Sequence, residues 1–339
     1  MAIAESQPDE SGFRRRSGRW LFWLLGIALL GGVIVAVKHF SEGEAFLRLA
    51  REAKPSWLVA ALAAQAATYL AQGEIWRIVS RATGHHLPVG MVYKLALAKL
   101  FVDQAIPTAG VSGTVVVAQV LKEKDLPRPA VMAGIVINTT SFLAAYVLCL
   151  SAALVVLFFS HHVSSVILIS SLLFMLLSIG VTAGMLAAVG KDIGSRVRSL
   201  SRLRFIRNAL DVMEHADRGL VRNWRIQLTT GACQVVTFLL DVATLWFLIK
   251  SLGVSAHISH VFAAFMLANL IRTVSFVPGG LGTFEGATVL MLRMDGISVA
   301  AALSAALLFR GLTFFLPMIP GLWFSRPTGS SMTKPSVSK

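Results

Sequence analysis

Apolar runs long enough to cross a membrane alternate with short polar segments along most of this chain. A helix needs about 20 apolar residues to span a bilayer, so each run predicts a membrane element. The first run has the length of a signal peptide, but no small-residue cleavage site follows it, and we interpret it as a retained anchor. The runs are Trp20 to Val37, Trp57 to Ile75, Val92 to Leu121, Ala130 to Phe159, Val163 to Val189, Leu228 to Ile249, His260 to Met294 and Ser298 to Phe324.

Two of these runs, Val92 to Leu121 and His260 to Met294, contain residues that break helices. Proline removes a helix donor and glycine permits a sharp reversal. Each run is therefore either one kinked span or a re-entrant hairpin that enters and leaves the membrane on the same side. The breaking residues are Pro107, Gly110 and Gly113 in the first run, and Pro278, Gly279, Gly280 and Gly282 in the second.

The distribution of basic residues discriminates between these alternatives. With two hairpins, 23 of the 31 Lys and Arg residues face the cytoplasm and six face the outside, while Arg272 and Arg310 lie within the membrane. With two kinked spans, about 12 basic residues lie inside and about 17 outside. Because cytoplasmic loops are enriched in Lys and Arg, the pattern favours hairpins and places both termini in the cytoplasm.

The two interrupted runs occupy equivalent places in two similar halves of the chain. Pro107 and Pro278 are 171 residues apart, and Gly84 and Gly253, which each end the preceding span, are 169 apart. Both halves have the order span, polar turn, broken hairpin and span. Three crossings separate equivalent points, so we expect the halves to have opposite orientations, an arrangement found in transporters.

We therefore predict an all-α, polytopic integral membrane protein with about six transmembrane helices and two re-entrant hairpins in two inverted repeats. The predicted organisation is a cytoplasmic basic tail (residues 1–19), a single membrane domain (20–325) and a cytoplasmic C-terminal tail (326–339). Within the membrane domain we assign repeat one to residues 57–159, a cytoplasmic amphipathic loop to 190–227 and repeat two to 228–324.

Composition supports a membrane protein and excludes several other classes. The chain is 55% hydrophobic and 14% charged, with a mean hydropathy of +0.72, whereas soluble domains are about 25% charged. The net charge of +14 fits basic loops facing anionic lipid, and we expect no nucleic-acid partner. Two cysteines, both within apolar runs, supply neither a disulfide framework nor a thiolate zinc site, so we predict no metal and no cofactor.

The hairpin tips are the predicted place for a ligand. Helix N-termini at such tips present unpaired N–H groups and positive partial charge, which suit a phosphate. The tips would form a cradle for a lipid phosphate headgroup, with added hydroxyl groups from Thr108, Ser112, Thr114 and Thr283. The alternative is that the glycines only permit close helix packing.

Charged residues at membrane depth are the main site candidates, because burying each one is costly unless it is paired or hydrated. We predict that Arg310 or Arg272 attracts the lipid phosphate. Glu285 would hold an arginine in place, or bind a cationic headgroup or a coupling proton. Asp103 and Gln104 hold a similar position in the first hairpin. The alternative is a purely architectural ion pair, such as Glu285 with Arg310.

Other polar segments are assigned structural roles. Asp241, in the middle of an apolar run, is expected to make a helix–helix contact. Apolar residues between Lys191 and Arg225 recur at helical spacing with arginines between them, which predicts an amphipathic helix on the cytoplasmic lipid surface.

Several motifs resemble those of a known family, the flippase-like membrane region of lysylphosphatidylglycerol synthases. Stand-alone membrane proteins of bacteria and archaea share this region, and the resemblance covers about residues 20 to 325. It rests on the segment from Pro278 to Glu285, Gly296, the segment from Leu308 to Leu312, and the weaker motifs at Trp76-Arg77 and at Pro107 with Gly110.

The resemblance implies a lipid-translocating or lipid-handling protein of a prokaryotic plasma membrane, whose partners are membrane lipids. Relatives are associated with aminoacyl-phospholipid, hopanoid or polyprenyl-linked glycan pathways, so biosynthetic enzymes are further candidate partners. The full synthases carry a large soluble aminoacyl-transferase domain. Only about 15 polar residues follow Phe324 here, so we do not expect lysyl transfer.

We therefore expect the protein to move a lipid or lipid-linked headgroup between leaflets. The chain contains no ATPase motif. Two alternatives belong to other classes of protein. One is an intramembrane enzyme, or a membrane subunit of an enzyme, in lipid, hopanoid or glycan biosynthesis. The other is a non-catalytic scaffold for a biosynthetic complex.

Overall fold

Helices form all the regular structure in the part of the chain that the computed structural model describes, namely residues 53–105, 111–160, 164–189, 211–275, 280, 282–317 and 320. This result confirms the all-α prediction. The main helices are α1 (Pro55–Ala82), α2 (Val89–Ala105), α3 (Val111–Lys122), α4 (Arg128–Phe159), α5 (Ser165–Ala188), α6 (Arg218–Arg222), α7 (Trp224–Ser251), α8 (Ile258–Val274), α9 (Thr283–Met294) and α10 (Val299–Arg310), followed by a π-helical turn (Gly311–Phe315).

Three helices within the described ranges, α4, α5 and α7, are long and apolar enough to cross a membrane. α1 is as long as α7, at 28 residues, but carries Glu74, Arg77 and Arg81 in its last turns. Glu74 pairs with both arginines, with Arg77 Nη1 2.6 Å from its Oε2 and Arg81 Nη1 3.2 Å from its Oε1. The chain is therefore a polytopic membrane protein. The predicted anchor and both predicted tails lie outside the described residues.

The first interrupted run folds as two antiparallel helices, α2 and α3. Val92 at the start of α2 belongs to the same buried cluster as Leu121 at the end of α3. At the opposite end of the pair, the backbone N–H of Gly113 donates to Asp103 Oδ1 over 2.8 Å. Both ends of the two helices therefore meet in the manner of a hairpin.

The second interrupted run has the same arrangement in α8 and α9. His260 Nδ1, near the start of α8, lies 3.0 Å from Asp295 Oδ1, just beyond the end of α9. Midway along the pair, the rings of Phe265 and Phe284 meet edge to face with centroids 6.0 Å apart. The connecting segments, which contain the predicted breaking residues Pro107, Gly110, Pro278 and Gly279, lie outside the described residues.

The bases of the two hairpins lie at opposite ends of α4. Val131, in the first turn of α4, packs in the cluster at the base of the first hairpin. Ser160, which follows the last turn, lies with its Oγ 3.3 Å from His260 Nε2 at the base of the second. The 32 residues of α4 span about 48 Å. The hairpins therefore enter the bundle from opposite directions.

The two halves of the chain match in helix length and in turn geometry. α1 and α7 each have 28 residues, α2 and α8 each have 17, and α3 and α9 each have 12. Gly84 and Gly253 lie two residues beyond the ends of α1 and α7, with φ of 80° and 77°. Their N–H groups donate to equivalent carbonyls, those of Arg81 and Lys250. These matches support the hypothesis of two repeats.

The segment before α7 differs from the predicted continuous amphipathic helix. Its described part is interrupted at Ala216, and the side chain of Asp217 then caps α6 by accepting from the N–H groups of Gly219 and Leu220. Val212 and Leu220 pack against a buried cluster that includes the first turns of α4. Apolar residues here contact protein, because tertiary packing offers them an alternative to lipid that periodicity alone does not reveal.

Cysteine labelling tests the opposed hairpins. Lys124→Cys and Ser255→Cys place thiols in exposed turns at the bases of the first and second hairpin. In cells, we expect an impermeant maleimide to label Ser255→Cys from outside and Lys124→Cys only after permeabilisation. The chain with Cys149 and Cys233 replaced by alanine is the background and control. Labelling of both thiols from the same side would contradict the arrangement.

Candidate functional site

Four charged side chains from four helices lie at similar depth in the second half of the bundle. They are Asp241 of α7, Arg272 of α8, Glu285 of α9 and Arg310 of α10. With a rise of 1.5 Å per residue, each lies about 14–21 Å along its helix from the end at the base of the second hairpin. That distance is close to half of a hydrocarbon core about 30 Å thick.

Arg310 is held by contacts on several sides. Its Nε donates to Glu285 Oε1 over 2.8 Å, and its Nη2 donates to the carbonyl of Gly280 over 3.0 Å. The guanidinium carbon lies 4.8 Å from the ring centroid of Phe284 and 5.7 Å from that of Phe314. Only 4% of Arg310 and 7% of Glu285 are exposed. This arginine is therefore built into the core of the protein.

Glu285 occupies the first turn of α9, where the partial positive charge of the helix N-terminus stabilises a carboxylate. The preceding Gly282 has φ of 80°, and the hydroxyl of Thr283 donates to the carbonyl of Gly280 over 3.0 Å. These contacts fix the start of the helix. Glu285 Oε2 is buried, and no hydrogen-bond partner is found for it within the described ranges.

Gly280 separates the two arginines. Its φ of 63° is a left-handed conformation that favours glycine. Its carbonyl accepts from Arg310, and a Cβ at this position would collide with the aliphatic stem of Arg272. A side chain here is therefore excluded both by backbone conformation and by space.

Arg272 differs from Arg310 because it is accessible. α8 is enclosed by protein along most of its length, with every residue from Ala263 to Leu270 buried. The helix then emerges, so that Ile271 is 44% exposed, Val274 is 62% exposed and Arg272 between them is exposed. The last turn of α8 is therefore accessible, in contrast to the enclosed turns that precede it.

The charge of Arg272 acts on groups from three other helices, namely Tyr146 of α4, Asp241 of α7 and Glu285 of α9. Among the described residues, no hydrogen bond from the Arg272 guanidinium and no ion pair within 4 Å is found. Arg272 is thus accessible and near negative charge, without a fixed partner in the part of the chain that the structure describes.

Asp241 is half-buried and faces the polar side chains of Gln65 and Thr68 on α1. These two α1 residues were not among the sequence-predicted candidates. Their spacing of three places them on one face of a helix in an otherwise apolar segment, and that signal could have identified them. The predicted helix–helix contact of Asp241 therefore connects the first helices of both halves.

Tyrosine hydroxyls add contacts around the four charges. The hydroxyl of Tyr69 donates to the carbonyl of Leu312 over 3.2 Å, within the π-helical turn that follows Arg310. A π-turn displaces backbone hydrogen bonds and leaves such carbonyls available. The hydroxyl of Tyr146 donates to the carbonyl of Met266 over 3.3 Å. Neither tyrosine was predicted, because tyrosine in an apolar span has no distinctive sequence pattern.

Asp103 and Gly113 meet at the tip of the first hairpin. Lys99 Nζ lies 2.7 Å from Asp103 Oδ2, while the N–H of Gly113 binds the other carboxylate oxygen. Asp103 thus holds α2 and α3 together near the break. The sequence-predicted residues therefore fall into two groups, one at this tip and one around Gly280 and Gly282. The side chain of Gln104 lies outside the described residues.

Comparison with known proteins identifies relatives of this chain. The family model described as the lysylphosphatidylglycerol synthase TM region matches residues 23–321. A UPF0104 membrane protein of Methanocaldococcus jannaschii is 19% identical over 306 residues, which cover 85% of this chain and 89% of that protein. A phosphatidylglycerol lysyltransferase of Bacillus subtilis is 32% identical over 91 residues, 27% of this chain but 11% of that enzyme.

The Arg310–Glu285 contact has a measurable consequence for stability. Removing one partner of a buried ion pair leaves the other charge unpaired, at a cost of about 3–5 kcal/mol. We expect Glu285→Gln and Arg310→Gln each to lower the melting temperature in detergent. The double variant should be less destabilised than the sum of the two changes, as a double-mutant cycle measures. Additive losses would contradict direct coupling.

Proposed function

The chain belongs to the lysylphosphatidylglycerol synthase TM region family, and from this premise we propose that it moves a lipid or lipid-linked headgroup between membrane leaflets. The proposal places it in the plasma membrane of a prokaryote, with both termini in the cytoplasm. The observation that carries the proposal is the accessible Arg272 near the middle of the membrane. An exposed cation at this depth is costly unless it serves a polar ligand or pathway.

The two arginines have different roles in this proposal. Arg310 already binds Glu285 and Gly280, and it supports the site. Arg272 is accessible and binds the lipid phosphate. A guanidinium presents several N–H donors in a plane and suits phosphate oxygens. The lipid headgroup would therefore contact Arg272 while its acyl chains stay in the hydrocarbon.

The opposed hairpins provide a route for the headgroup. They enter from opposite ends of α4, and the matching helix lengths and turns support two inverted repeats. Transporters of this kind bind substrates near the membrane midplane, where the two halves meet. Movement of one repeat relative to the other would expose the site first to one leaflet and then to the other.

Lysyl transfer is not part of the proposal. The match to the phosphatidylglycerol lysyltransferase covers 11% of that enzyme, whereas the UPF0104 membrane protein matches over nearly its whole length. An intramembrane enzyme of lipid metabolism remains the alternative from another class. Purified protein in detergent discriminates between the two, because an enzyme can convert its lipid there and a transporter has no leaflets to connect.

Transport in proteoliposomes tests the role of Arg272. We expect the wild-type protein to move a fluorescent NBD-labelled phospholipid from the outer leaflet, where dithionite bleaches it, to the protected inner leaflet. Arg272→Gln should lose most of this activity, while Arg272→Lys should retain part of it, because lysine keeps the charge without the planar donors.

The matched control is Arg225→Gln, which removes an exposed cation from the start of α7 beside Trp224. This variant should transport at the wild-type rate. Full activity of Arg272→Gln across a panel of anionic, zwitterionic and lipid-linked glycan headgroups would contradict the assigned phosphate site. Lipid conversion in detergent would instead favour the enzyme.

A further inference from the structure

We propose that Asp241 is a proton-binding site and that one proton crosses the membrane with each singly charged phosphodiester lipid, an inference that rests on the lipid translocation proposed above. A route for the lipid is proposed above, and the proton-binding site concerns what drives its movement. The proposal starts from the geometry of Asp241 and Arg272, which lie on neighbouring helices at similar depth.

Asp241 and Arg272 are accessible and near each other, but they form no contact ion pair within the described ranges. Asp241 is half-buried on α7, and Arg272 is exposed on the last turn of α8. A gap between opposite charges in an accessible site leaves room for a ligand. This arrangement contrasts with Glu285 and Arg310, which are in direct contact and closed to solvent.

Besides α7 and α8, which carry the pair, four helices contribute groups to its surroundings. The groups that face Asp241 are Arg272 of α8 and Tyr69, Gln65 and Thr68 of α1. The groups that act on Arg272, besides Asp241, are Tyr146 of α4, Glu285 of α9 and Arg310 of α10. The four charged groups among them are two carboxylates and two guanidiniums, so the empty site has no net charge.

Binding of a lipid phosphodiester changes this balance. Its single negative charge at Arg272 would leave the site with one uncompensated charge, which is costly at membrane depth. A proton on Asp241 restores neutrality, because its positive charge cancels that of the added phosphate. The protonated carboxyl group also no longer competes with the phosphate for Arg272. Glu285 is less suited to this role, because Arg310 already neutralises it.

Gln65 and Thr68 suit a carboxyl group that changes its protonation state. An amide and a hydroxyl can each either donate a hydrogen bond or accept one. They can therefore stabilise the ionised carboxylate as donors and the protonated acid as acceptors. A lysine or arginine in their place would hold Asp241 permanently ionised.

The coupling has a definite sign. Protonation of Asp241 favours binding of the anion, and by reciprocity binding of the anion favours protonation. Affinity for the lipid is therefore expected to rise as the pH falls through the range in which Asp241 titrates, and to decline at higher pH. Because one proton accompanies one negative charge, the translocated pair is neutral, and a membrane potential should not drive it.

The test uses the full chain in proteoliposomes that contain NBD-phosphatidylglycerol in the outer leaflet and a pH-sensitive dye in the lumen. We expect inward movement of the lipid to acidify the lumen. External acidification should accelerate movement about fivefold or more, within the usual range of coupling between two ligands. A potassium-diffusion potential at constant pH should have no effect.

The two proposals fail in different ways in this experiment. If NBD-phosphatidylglycerol moves without acidifying the lumen, proton coupling is wrong and lipid translocation stands. If no lipid of the panel moves with the wild-type protein, lipid translocation itself is wrong. Inorganic phosphate in the lumen or outside should neither move nor cause acidification, since the proposal assigns the site to a lipid.

Asp241→Asn tests the assignment of the proton to this residue. The amide keeps the size of the side chain but cannot titrate, so lipid movement should lose its pH dependence and its lumenal acidification. The matched control is Asp125→Asn, the same change in an exposed turn with φ of 60°, where asparagine is well tolerated. That variant should behave as the wild-type protein.

Persistent acidification by Asp241→Asn would overturn the assignment. Should this variant fail to fold, Asp241→Glu provides a second measurement, because it keeps a titratable carboxyl group but places it one methylene farther along. We expect it to shift the pH at which transport is half-maximal. An unchanged pH profile would equally count against Asp241 as the proton-binding site.

Discussion

The buried contact between Arg310 and Glu285 organises the second half of this membrane domain. One guanidinium joins the end of α10 to the start of α9 and, through the carbonyl of Gly280, to the tip of the second hairpin. Charge at this depth is costly unless it is paired, so breaking one contact leaves another group buried without its partner. The same contact that neutralises two charges therefore positions the backbone beside Arg272.

The two arginines illustrate how similar residues at similar depth acquire different roles. Arg310 contacts a carboxylate, a carbonyl and two aromatic rings, whereas Arg272 emerges from the enclosed part of α8 into accessible space. Because Arg272 has no fixed partner among the described residues, it is available to bind a mobile ligand. The proposed phosphate site and the proposed proton site on Asp241 both depend on this difference in accessibility.

The two halves of the chain are alike in backbone and unlike in charge. In the first hairpin, Asp103 pairs with Lys99 on the same helix and accepts from the N–H of Gly113, which joins the two helices. The second is surrounded by two acids and two arginines from four helices. Matching helix lengths with different chemistry fit the proposal that both halves form the route and the second half binds the lipid headgroup.

Much of this architecture was predictable from local chemistry. Apolar runs indicated membrane helices, Pro and Gly indicated the breaks near Gly113 and Gly280, and burial cost singled out Glu285, Arg272 and Arg310. Which arginine pairs with Glu285 was not predictable, because 13 residues on one side and 25 on the other separate them in the chain. Only tertiary packing decides which arginine comes within hydrogen-bonding distance of Glu285. It also decides that α8 is enclosed up to Leu270 and accessible at Arg272. Local sequence determines what a helix can bury; its neighbours determine what remains accessible.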